Sequence, residues 1–323
     1  MPLVTVFMAA YNAANFIEKS IRSILCQTFN DFELIIVNDG STDNTIEIIK
    51  SFADERIKII ENKTNRGLIY TRNLALEYAK GTYLAIQDSD DISTPDRLAR
   101  QVDVLDQNHN LALIGSKAIT IDDQDIILDR KLDVINGSRS LKAQLFFENT
   151  FVHSTIMMRI SIFREIGGYQ TYPSAEDYDL FIRISEKYEI DNLDEYLVYY
   201  RAHNNNFSMV KRDLLNKQLD IIKKKQFYKL GLNPDDDFYC KTIYNIENYK
   251  RYTNNYYKLI NANNKLMIYD KTTFNYLIFT KWLNQIIQSN LNFKLGIILF
   301  SPLTKISFLK KRVLKQIFYK LLS

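Results

Sequence analysis

The chain has 323 residues, of which 46% are hydrophobic and 25% are charged, and its formal net charge is +4. This composition excludes a disordered chain, and the length allows two modest domains or one large domain with an appendage. The two cysteines, Cys26 and Cys240, lie far apart in the sequence. They support neither a disulfide framework nor a zinc site and favour a reducing compartment.

The charge is distributed unevenly along the chain. Residues 1–210 contain 21 basic and 31 acidic residues, a net charge of −10, whereas residues 211–323 contain 21 basic and 7 acidic residues, a net charge of +14. This division predicts two regions with different partners, because an acidic half suits metal binding and a basic half suits an anionic surface.

The sequence contains no recognisable targeting or membrane-spanning segment. The start, Met1-Pro2-Leu3, lacks the basic leader and apolar run of a signal peptide. No stretch approaches the ~20 apolar residues that cross a bilayer. We therefore expect a cytoplasmic protein.

Strand and helix patterns alternate through the first part of the chain, as in a parallel sheet with crossover helices. The apolar periodicity predicts strands at residues 3–8, 32–37, 57–60 and 83–86, and helices at residues 16–25, 44–52, 68–79 and 94–105. Asp43 is the expected N-cap of the second helix, and Thr94-Pro95 supply a cap and a first-turn proline for the fourth.

The pattern changes twice further along the chain. Residues 111–201 read as α+β, with strands near 113–121 and 155–159 and helices near 161–166 and 179–187. The strand signals then fade, and several helices rich in Lys, Asn and Tyr are expected over residues 209–290. We therefore divide the chain into a first domain of residues 1–208 and a basic helical region of residues 209–323.

Polar clusters follow three of the predicted parallel strands. They are Ala10-Tyr11-Asn12, Asn38-Asp39 and the run from Asp88 to Asp91. In an open α/β sheet the carboxyl ends of the strands meet at one edge, where ligands bind. The three clusters together therefore predict a binding site at that edge.

The run Asp88-Ser89-Asp90 places two carboxylates in a tight loop after a strand. Mg²⁺ and Mn²⁺ prefer oxygen ligands and are often held by one or two carboxylates together with substrate phosphates. Such an ion would neutralise the charge that develops on a diphosphate leaving group. The alternative is a solvated turn whose aspartates only cap the next helix.

Seven ordered segments resemble the family 2 nucleotide-sugar glycosyltransferases. The resemblance covers about residues 3–208 and implies a GT-A fold, an α/β fold in which a Rossmann-like, mostly parallel sheet is flanked by helices, here with a helical C-terminal extension. The segments are Thr5–Asn12, Ser20–Phe29, Phe32–Thr45, Asn65-Arg66-Gly67, Thr71-Arg72-Asn73, Gly81–Asp91 and Pro95–Leu98.

The resemblance assigns the first polar clusters to the nucleotide of a UDP-sugar donor. Ala10 and Tyr11 are similar to the pair that contacts uracil, with Tyr11 offering a flat face for stacking. Asp39 resembles the carboxylate that accepts a hydrogen bond from the uracil N–H, although it could instead be a turn or helix-cap residue. Either Arg66 or Arg72 is expected to meet the base or the diphosphate.

The resemblance also implies which residues bind the metal and which belong to a loop that closes over the diphosphate. Asp90 is expected to bind Mn²⁺ or Mg²⁺ directly, with Asp88 nearer the ribose and a metal-bound water. His203 is a further metal or phosphate ligand, and Arg201 is a phosphate clamp in a loop that closes over the diphosphate. His153 contacts donor phosphate or acceptor, or else is a structural histidine.

The pair Glu176-Asp177 is the expected catalytic centre on the acceptor side. An inverting transfer needs a carboxylate that takes the proton of the acceptor hydroxyl, and attack and departure lie on opposite faces of the sugar. Asp177 matches the family's base, and Glu176 is a supporting residue. The alternative is that both only stabilise a helix N-terminus.

These observations predict an inverting transferase that moves a single hexose or N-acetylhexosamine from a UDP-sugar to a glycan or lipid-linked saccharide acceptor in cell-surface polysaccharide synthesis. The Gln-x-x-Arg-Trp motif of processive members is missing, which favours one sugar per visit. A sugar-nucleotide-forming nucleotidyltransferase is an alternative, but no glycine-rich loop follows the first strand. A nucleic-acid-binding module using the basic half is another, and we expect no nucleic-acid partner.

The C-terminal segment has the pattern of a basic amphipathic helix. Residues 301–322 combine six basic residues with apolar positions at helical spacing. Such a helix lies in the interface of an anionic membrane rather than across it. We therefore expect a peripheral location on the inner face of the cell membrane; the alternative is packing on the protein itself or on a second subunit of an oligomer.

Overall fold

The computed structural model describes residues 1–203, 212–234 and 246–289. Its strands are, in chain order, β1 (Val4–Ala10), β2 (Phe32–Asn38), β3 (Ile57–Glu61), β4 (Tyr83–Ile86), β5 (Ile92–Ser93), β6 (Leu111–Ile121), β7 (Ile127–Leu132), β8 (Met157–Arg159) and β9 (Glu189–Arg201). The helices among them are α1 (Ile17–Leu25), α2 (Thr45–Lys50), α3 (Leu68–Asn73), α4 (Ala75–Tyr78), α5 (Arg97–Gln107), α6 (Ser138–Gln144), α7 (Ile160–Ile166) and α8 (Glu176–Lys187), with a 3₁₀ turn at His153–Thr155. Three further helices follow, Arg212–Lys229, Ile246–Leu266 and Lys271–Gln288.

The strands of the described residues form one sheet in the order β3-β2-β1-β4-β8-β6-β9-β5, and β7 pairs with β6. β3, β2, β1 and β4 are parallel. β8 runs antiparallel to both of its neighbours, β9 runs parallel to β6, and β5 runs antiparallel to β9. The α/β fold with flanking helices is confirmed, but only the first half of the sheet is purely parallel, so the sheet is mixed.

The parallel half is fixed by strands that are buried on both faces. All seven residues of β2 and all four of β4 are buried, which is typical of parallel strands covered by helices. α1 packs against this half through Ile17, Ile21 and Ile24, which lie one helical turn apart and are fully buried. Each buried isoleucine contributes about 2 kcal/mol, so this layer holds the ends of β1, β2 and β4 in place.

Some predicted element boundaries were wrong. The helix expected over residues 68–79 is two short helices separated at Leu74, and α2 begins after Asn44 rather than after Asp43. The helix expected from residue 179 begins at Glu176. This last difference places Glu176 and Asp177 in the first turn of α8.

Arg97 connects the end of β4 to neighbouring elements. Its buried guanidinium donates to the carbonyl oxygens of Ile86 at 2.7 Å and Ile156 at 3.2 Å, and to the Gln87 side chain at 2.9 Å. Burial lowers the pKa of Arg97 to about 10, although the charges of Asp91 and Asp88 oppose this. The arginine therefore stays charged at neutral pH and holds the backbone from which the acidic loop leaves β4.

The chain divides into two compact units, and the second begins at Asp220. Within the second unit Trp282 is fully buried, and its indole N–H donates to the Thr253 hydroxyl at 3.0 Å. No helix among the described residues is long and apolar enough to cross a membrane. The predicted domain boundary at residue 208 and the predicted amphipathic helix at residues 301–322 lie outside the described residues and stay predictions.

Candidate active site

A cavity of about 1030 Å³ opens at the carboxyl ends of β1, β2 and β4. It is the edge at which the sequence predicted a binding site. Ten of the twelve predicted site residues line it; Arg66 and Arg201 do not. The ten are Ala10, Tyr11, Asp39, Arg72, Asp88, Asp90, His153, Glu176, Asp177 and His203.

The loops that follow β1 and β2 are tied together at one end of the cavity. Asn12 adopts a left-handed conformation with φ of 49°. Its backbone N–H donates to the Ser41 hydroxyl at 3.0 Å, and its side-chain oxygen accepts from the Thr42 N–H at 2.9 Å. This arrangement leaves Tyr11 49% exposed on the cavity wall, where its ring is accessible for stacking on a flat ligand.

Asp39 is buried and organises the loop that carries Arg66. Its carboxylate accepts from the Asn62 amide at 2.7 Å and from the backbone N–H groups of Arg66 and Gly67 at 2.8 Å and 3.0 Å. It does not cap α2, which begins at Thr45. The Arg66 side chain is exposed and stacks on the Tyr70 ring at 4.4 Å, so only its backbone takes part in this part of the site.

Asp88 is held by two positively polarised groups. Its carboxylate accepts from Arg72 Nη2 at 3.0 Å, and His153 Nδ1 lies 3.2 Å from both of its oxygens. Burial alone would raise the pKa of Asp88, but the charges and hydrogen bonds of His153 and Arg72 hold it well below its usual range. The carboxylate is therefore ionised throughout the neutral range.

Asp91 anchors the same loop to the protein interior. Its buried carboxylate accepts from the Ser154 hydroxyl, and it accepts from the Arg201 backbone N–H at 2.7 Å. Burial, together with the charges of Asp90 and Asp88, raises the pKa of Asp91 well above its usual value. The sequence marked Asp91 only as a neighbour of the metal motif, and its anchoring role depends on contacts more than 60 residues away.

Arg201 differs from the predicted phosphate clamp. Its side chain is fully buried; Nε donates to the Asp90 carbonyl at 2.8 Å and Nη1 to the Asp122 carbonyl at 2.5 Å. Nη2 pairs with Asp125 at 2.6 Å, and the guanidinium lies 4.7 Å from the Phe16 ring centre. These contacts direct the guanidinium into the protein rather than towards the cavity, so that Arg201 fixes the acidic loop from behind.

Asp90 and His203 form the part of the cavity that best fits a divalent cation. Asp90 Oδ2 and His203 Nε2 lie 3.1 Å apart, a separation that suits two neighbouring ligands of an octahedral ion with bonds of about 2.1 Å. Across the described ranges, no group of three or more His, Cys, Asp or Glu side chains is arranged to hold a metal. Asp90 and His203 could thus supply two ligands of such an ion.

The first turn of α8 also lines the cavity. Asp177 accepts from the Asn149 amide at 2.9 Å and from the Tyr178 N–H at 2.7 Å. Each of its oxygens keeps a free lone-pair direction for a substrate hydroxyl. Asp177 therefore lies in the same cavity as the ends of β1 and β2.

Arg72 links the acidic loop to the first turn of α8. Its buried guanidinium pairs with Asp88 at 3.0 Å and also with Glu176. Burial would lower the pKa of Arg72, but the charges of Asp88 and Glu176 raise it above its usual value. Burial raises the pKa of Glu176, and Arg72 opposes that shift. Of the two arginines that the sequence could not rank, Arg72 is therefore the one that lies in the site.

Three contributors to the site were missed by the sequence analysis. Tyr169 contacts His153, Asn149 contacts Asp177, and Ser154 contacts Asp91. The glycine pair before Tyr169 was the one available signal, because the other two residues carry no pattern of their own.

The comparisons with known proteins agree with this geometry. The family model described as glycosyl transferase family 2 matches residues 5–167. A glycosyltransferase of Haemophilus influenzae is 33% identical over 253 residues, which cover 72% of this chain and 76% of that protein. The O-antigen biosynthesis glycosyltransferase WbnJ of Escherichia coli is 34% identical over 212 residues, which cover 63% of this chain and 81% of that protein.

A solved structure of S. aureus TarS in complex with UDP-GlcNAc has a TM-score of 0.53 and 19% identity, over 81% of each chain. The mixed sheet with flanking helices, and the acidic loop that lines the same cavity as Glu176-Asp177, are those of a GT-A fold. The family-model match and the Haemophilus influenzae relative then identify the family: the chain belongs to glycosyl transferase family 2.

The buried position of Arg201 predicts that it contributes to stability. Replacing Arg201 with Lys substitutes one ammonium nitrogen for the three guanidinium nitrogens that reach Asp90, Asp122 and Asp125, and each buried acceptor left without a donor costs about 1–3 kcal/mol. The urea midpoint of the protein without nucleotide or metal should therefore fall clearly. Arg66→Lys, at an exposed site, should change stability by less than about 0.5 kcal/mol. Equal midpoints for Arg201→Lys and the wild type would contradict this assignment.

Proposed function

We propose that the chain is an inverting glycosyltransferase that moves a single sugar from a UDP-sugar to a glycan or lipid-linked saccharide acceptor. The observation that carries the proposal is that Asp88 and Asp90, from the loop after β4, line the same cavity as Asp177, from the first turn of α8. In the proposed complex the diphosphate leaving group of the sugar lies beside the acidic loop, and Asp177 lies beside the acceptor hydroxyl. A direct displacement with inversion requires the leaving group and the proton acceptor on opposite faces of the sugar.

The nucleotide is proposed to occupy the corner formed by the ends of β1 and β2. Tyr11 supplies an exposed ring for the base, and Asp39 supplies a buried carboxylate at the cavity wall. Oδ1 already accepts two hydrogen bonds, from the Asn62 amide and the Arg66 N–H, whereas Oδ2 accepts only that of the Gly67 N–H and can accept one more, including one from a uracil N–H. The UDP-GlcNAc bound by TarS, a protein of the same fold, supports a UDP-sugar as the donor.

Mn²⁺ or Mg²⁺ is proposed to be held by Asp90 and His203, with Asp88 beside it. Such an ion supplies charge neutralisation for the departing diphosphate. Asp90 is kept in place by Arg201, which binds its backbone carbonyl, and Asp88 is oriented by Arg72 and His153. The protein thus fixes the acidic loop before any ligand enters.

Asp177 is proposed to act as the general base. It takes the proton of an acceptor hydroxyl as that oxygen forms a bond to the anomeric carbon, and the bond from the anomeric carbon to UDP breaks on the opposite face. Asn149 and the Tyr178 N–H orient the carboxylate for this step. Glu176 is already paired with Arg72, so it supports the wall and does not accept the proton.

The acceptor is proposed to be a saccharide of the cell surface, because the relative WbnJ is a glycosyltransferase of O-antigen biosynthesis. A lipid-linked form would place the enzyme in the cytoplasm at the inner face of the membrane. Residues 301–322, whose sequence predicts a basic amphipathic helix, would bind that anionic surface. Whether a hexose or an N-acetylhexosamine is moved depends on the shape of the cavity. A screen of sugar nucleotides as donors will identify the sugar.

Asp90→Ala should remove cation-dependent binding of UDP and lower kcat/KM by at least about a hundredfold, because charge neutralisation by a metal is worth several kcal/mol. Calorimetry with UDP, with and without Mn²⁺, measures the first effect, and UDP release measures the second. Asp123→Ala, which removes an exposed carboxylate, is the control. Unchanged Mn²⁺ dependence in Asp90→Ala would refute the metal assignment.

Asp177→Asn should bind UDP as the wild type does and lose transfer by ~10²-fold or more, because the amide keeps the shape but cannot take a proton. Glu186→Gln, an exposed position on the same helix, should retain activity. Full activity of Asp177→Asn together with inactive Glu176→Gln would assign the base to Glu176. A product with the donor's anomeric configuration would exclude inversion.

A further inference from the structure

The backbone of Tyr169 is held in place by two hydrogen bonds to one side chain. The Asn73 side chain binds its backbone on both sides, accepting from the Tyr169 N–H at 2.8 Å and donating to the Tyr169 carbonyl at 2.9 Å. Asn73 directly follows Arg72, the residue that pairs with both Asp88 and Glu176. The segment Thr71-Arg72-Asn73 therefore serves the site twice, through Arg72 itself and through the residue that holds Tyr169.

The two glycines before Tyr169 make this seating possible. Gly167 ends α7 in the left-handed conformation, with φ of 78°. Gly168 has φ of 65°, and a Cβ there would lie 2.4 Å from Asn73 Oδ1. Any other residue at position 168 would displace the amide that clamps Tyr169. The sequence Gly167-Gly168-Tyr169 thus encodes the placement of one side chain.

The hydroxyl of the Tyr169 side chain contacts His153. The Tyr169 hydroxyl lies 2.9 Å from His153 Nε2, and His153 Nδ1 lies 3.2 Å from both oxygens of Asp88. An ionised carboxylate only accepts, so Nδ1 carries a proton. Nε2 accepts from the Tyr169 hydroxyl in the neutral imidazole and donates to it in the imidazolium, so the hydroxyl can hold the ring in either state. Burial raises the pKa of Tyr169, so the hydroxyl keeps its own proton.

We propose that Tyr169 is a positioning residue for donor binding: its hydroxyl fixes the ring orientation in which His153 Nδ1 donates to Asp88. This inference rests on the proposed function, in which Asp88 faces the donor. Without the hydroxyl, the His153 ring can turn away from the Asp88 carboxylate, which would then lose one of its two side-chain partners.

Tyr169→Phe tests the proposal because it removes only the oxygen and keeps the buried ring against Phe163. The KM for the UDP-sugar and the Kd for UDP should each rise about three- to tenfold, the effect of one neutral hydrogen bond. The kcat and the KM for the acceptor should change less than about twofold. A purely structural role would instead lower Tm and the active fraction and leave the donor KM unchanged.

Tyr83→Phe is the matched control. Tyr83 is as buried as Tyr169, at 2% and 3% exposure, and its hydroxyl is bound by Asp106 at the other end of β4 from the acidic loop. Loss of that hydroxyl removes a comparable hydrogen bond away from the cavity. The donor KM of Tyr83→Phe should therefore match the wild type, whatever happens to its Tm.

A double-mutant cycle with His153→Ala decides whether Tyr169 acts through the histidine. In the His153→Ala background, Tyr169→Phe should change the Kd for UDP less than about twofold. Fully additive effects, or an unchanged Kd in Tyr169→Phe alone, would overturn the proposal. Failure of the proposed function is distinguishable, because the wild-type protein would then bind no UDP in the same titration.

Discussion

The site depends on one buried interaction, the pairing of the Arg72 guanidinium with Asp88 and Glu176. The two carboxylates are 16 and 104 residues away in the sequence and belong to the loop after β4 and to the first turn of α8. Two carboxylates buried this close without a cation would repel, and one would take up a proton. Arg72 allows both to remain beside the cavity, and it thereby holds the acidic loop next to the first turn of α8.

The same charge balance explains why the backbone of the acidic loop is bound by arginines from the protein interior. Among the described residues that line the cavity, five are carboxylates and Arg72 is the one arginine or lysine. Arg97 and Arg201 lie outside the lining but bind the backbone on either side of Asp88 and Asp90. The cavity itself therefore stays acidic. A nucleoside diphosphate is also an anion, and we therefore propose that it binds there together with a divalent cation.

The parts of this arrangement that the sequence predicted are those set by local pattern. β2 and β4 were found because every one of their residues is buried. The long strand β9 was missed, since its exposed acidic and aromatic positions break the alternation that marks a strand. Arg66 and Arg72 could not be ranked, because their difference is one of burial and distance. Tyr169 was missed by the sequence analysis, because its partner Asn73 lies 96 residues away.

The most direct test of the account is a product assay that separates transfer from nucleotidyl chemistry. The full chain is incubated with Mn²⁺ and a panel of sugar nucleotides and saccharide acceptors, and released UDP and pyrophosphate are measured together. The account predicts UDP release from at least one UDP-sugar, dependent on the cation and stimulated by an acceptor, and a product of inverted anomeric configuration. Pyrophosphate release from a nucleoside triphosphate and a sugar phosphate, with no UDP-sugar consumed, would contradict it.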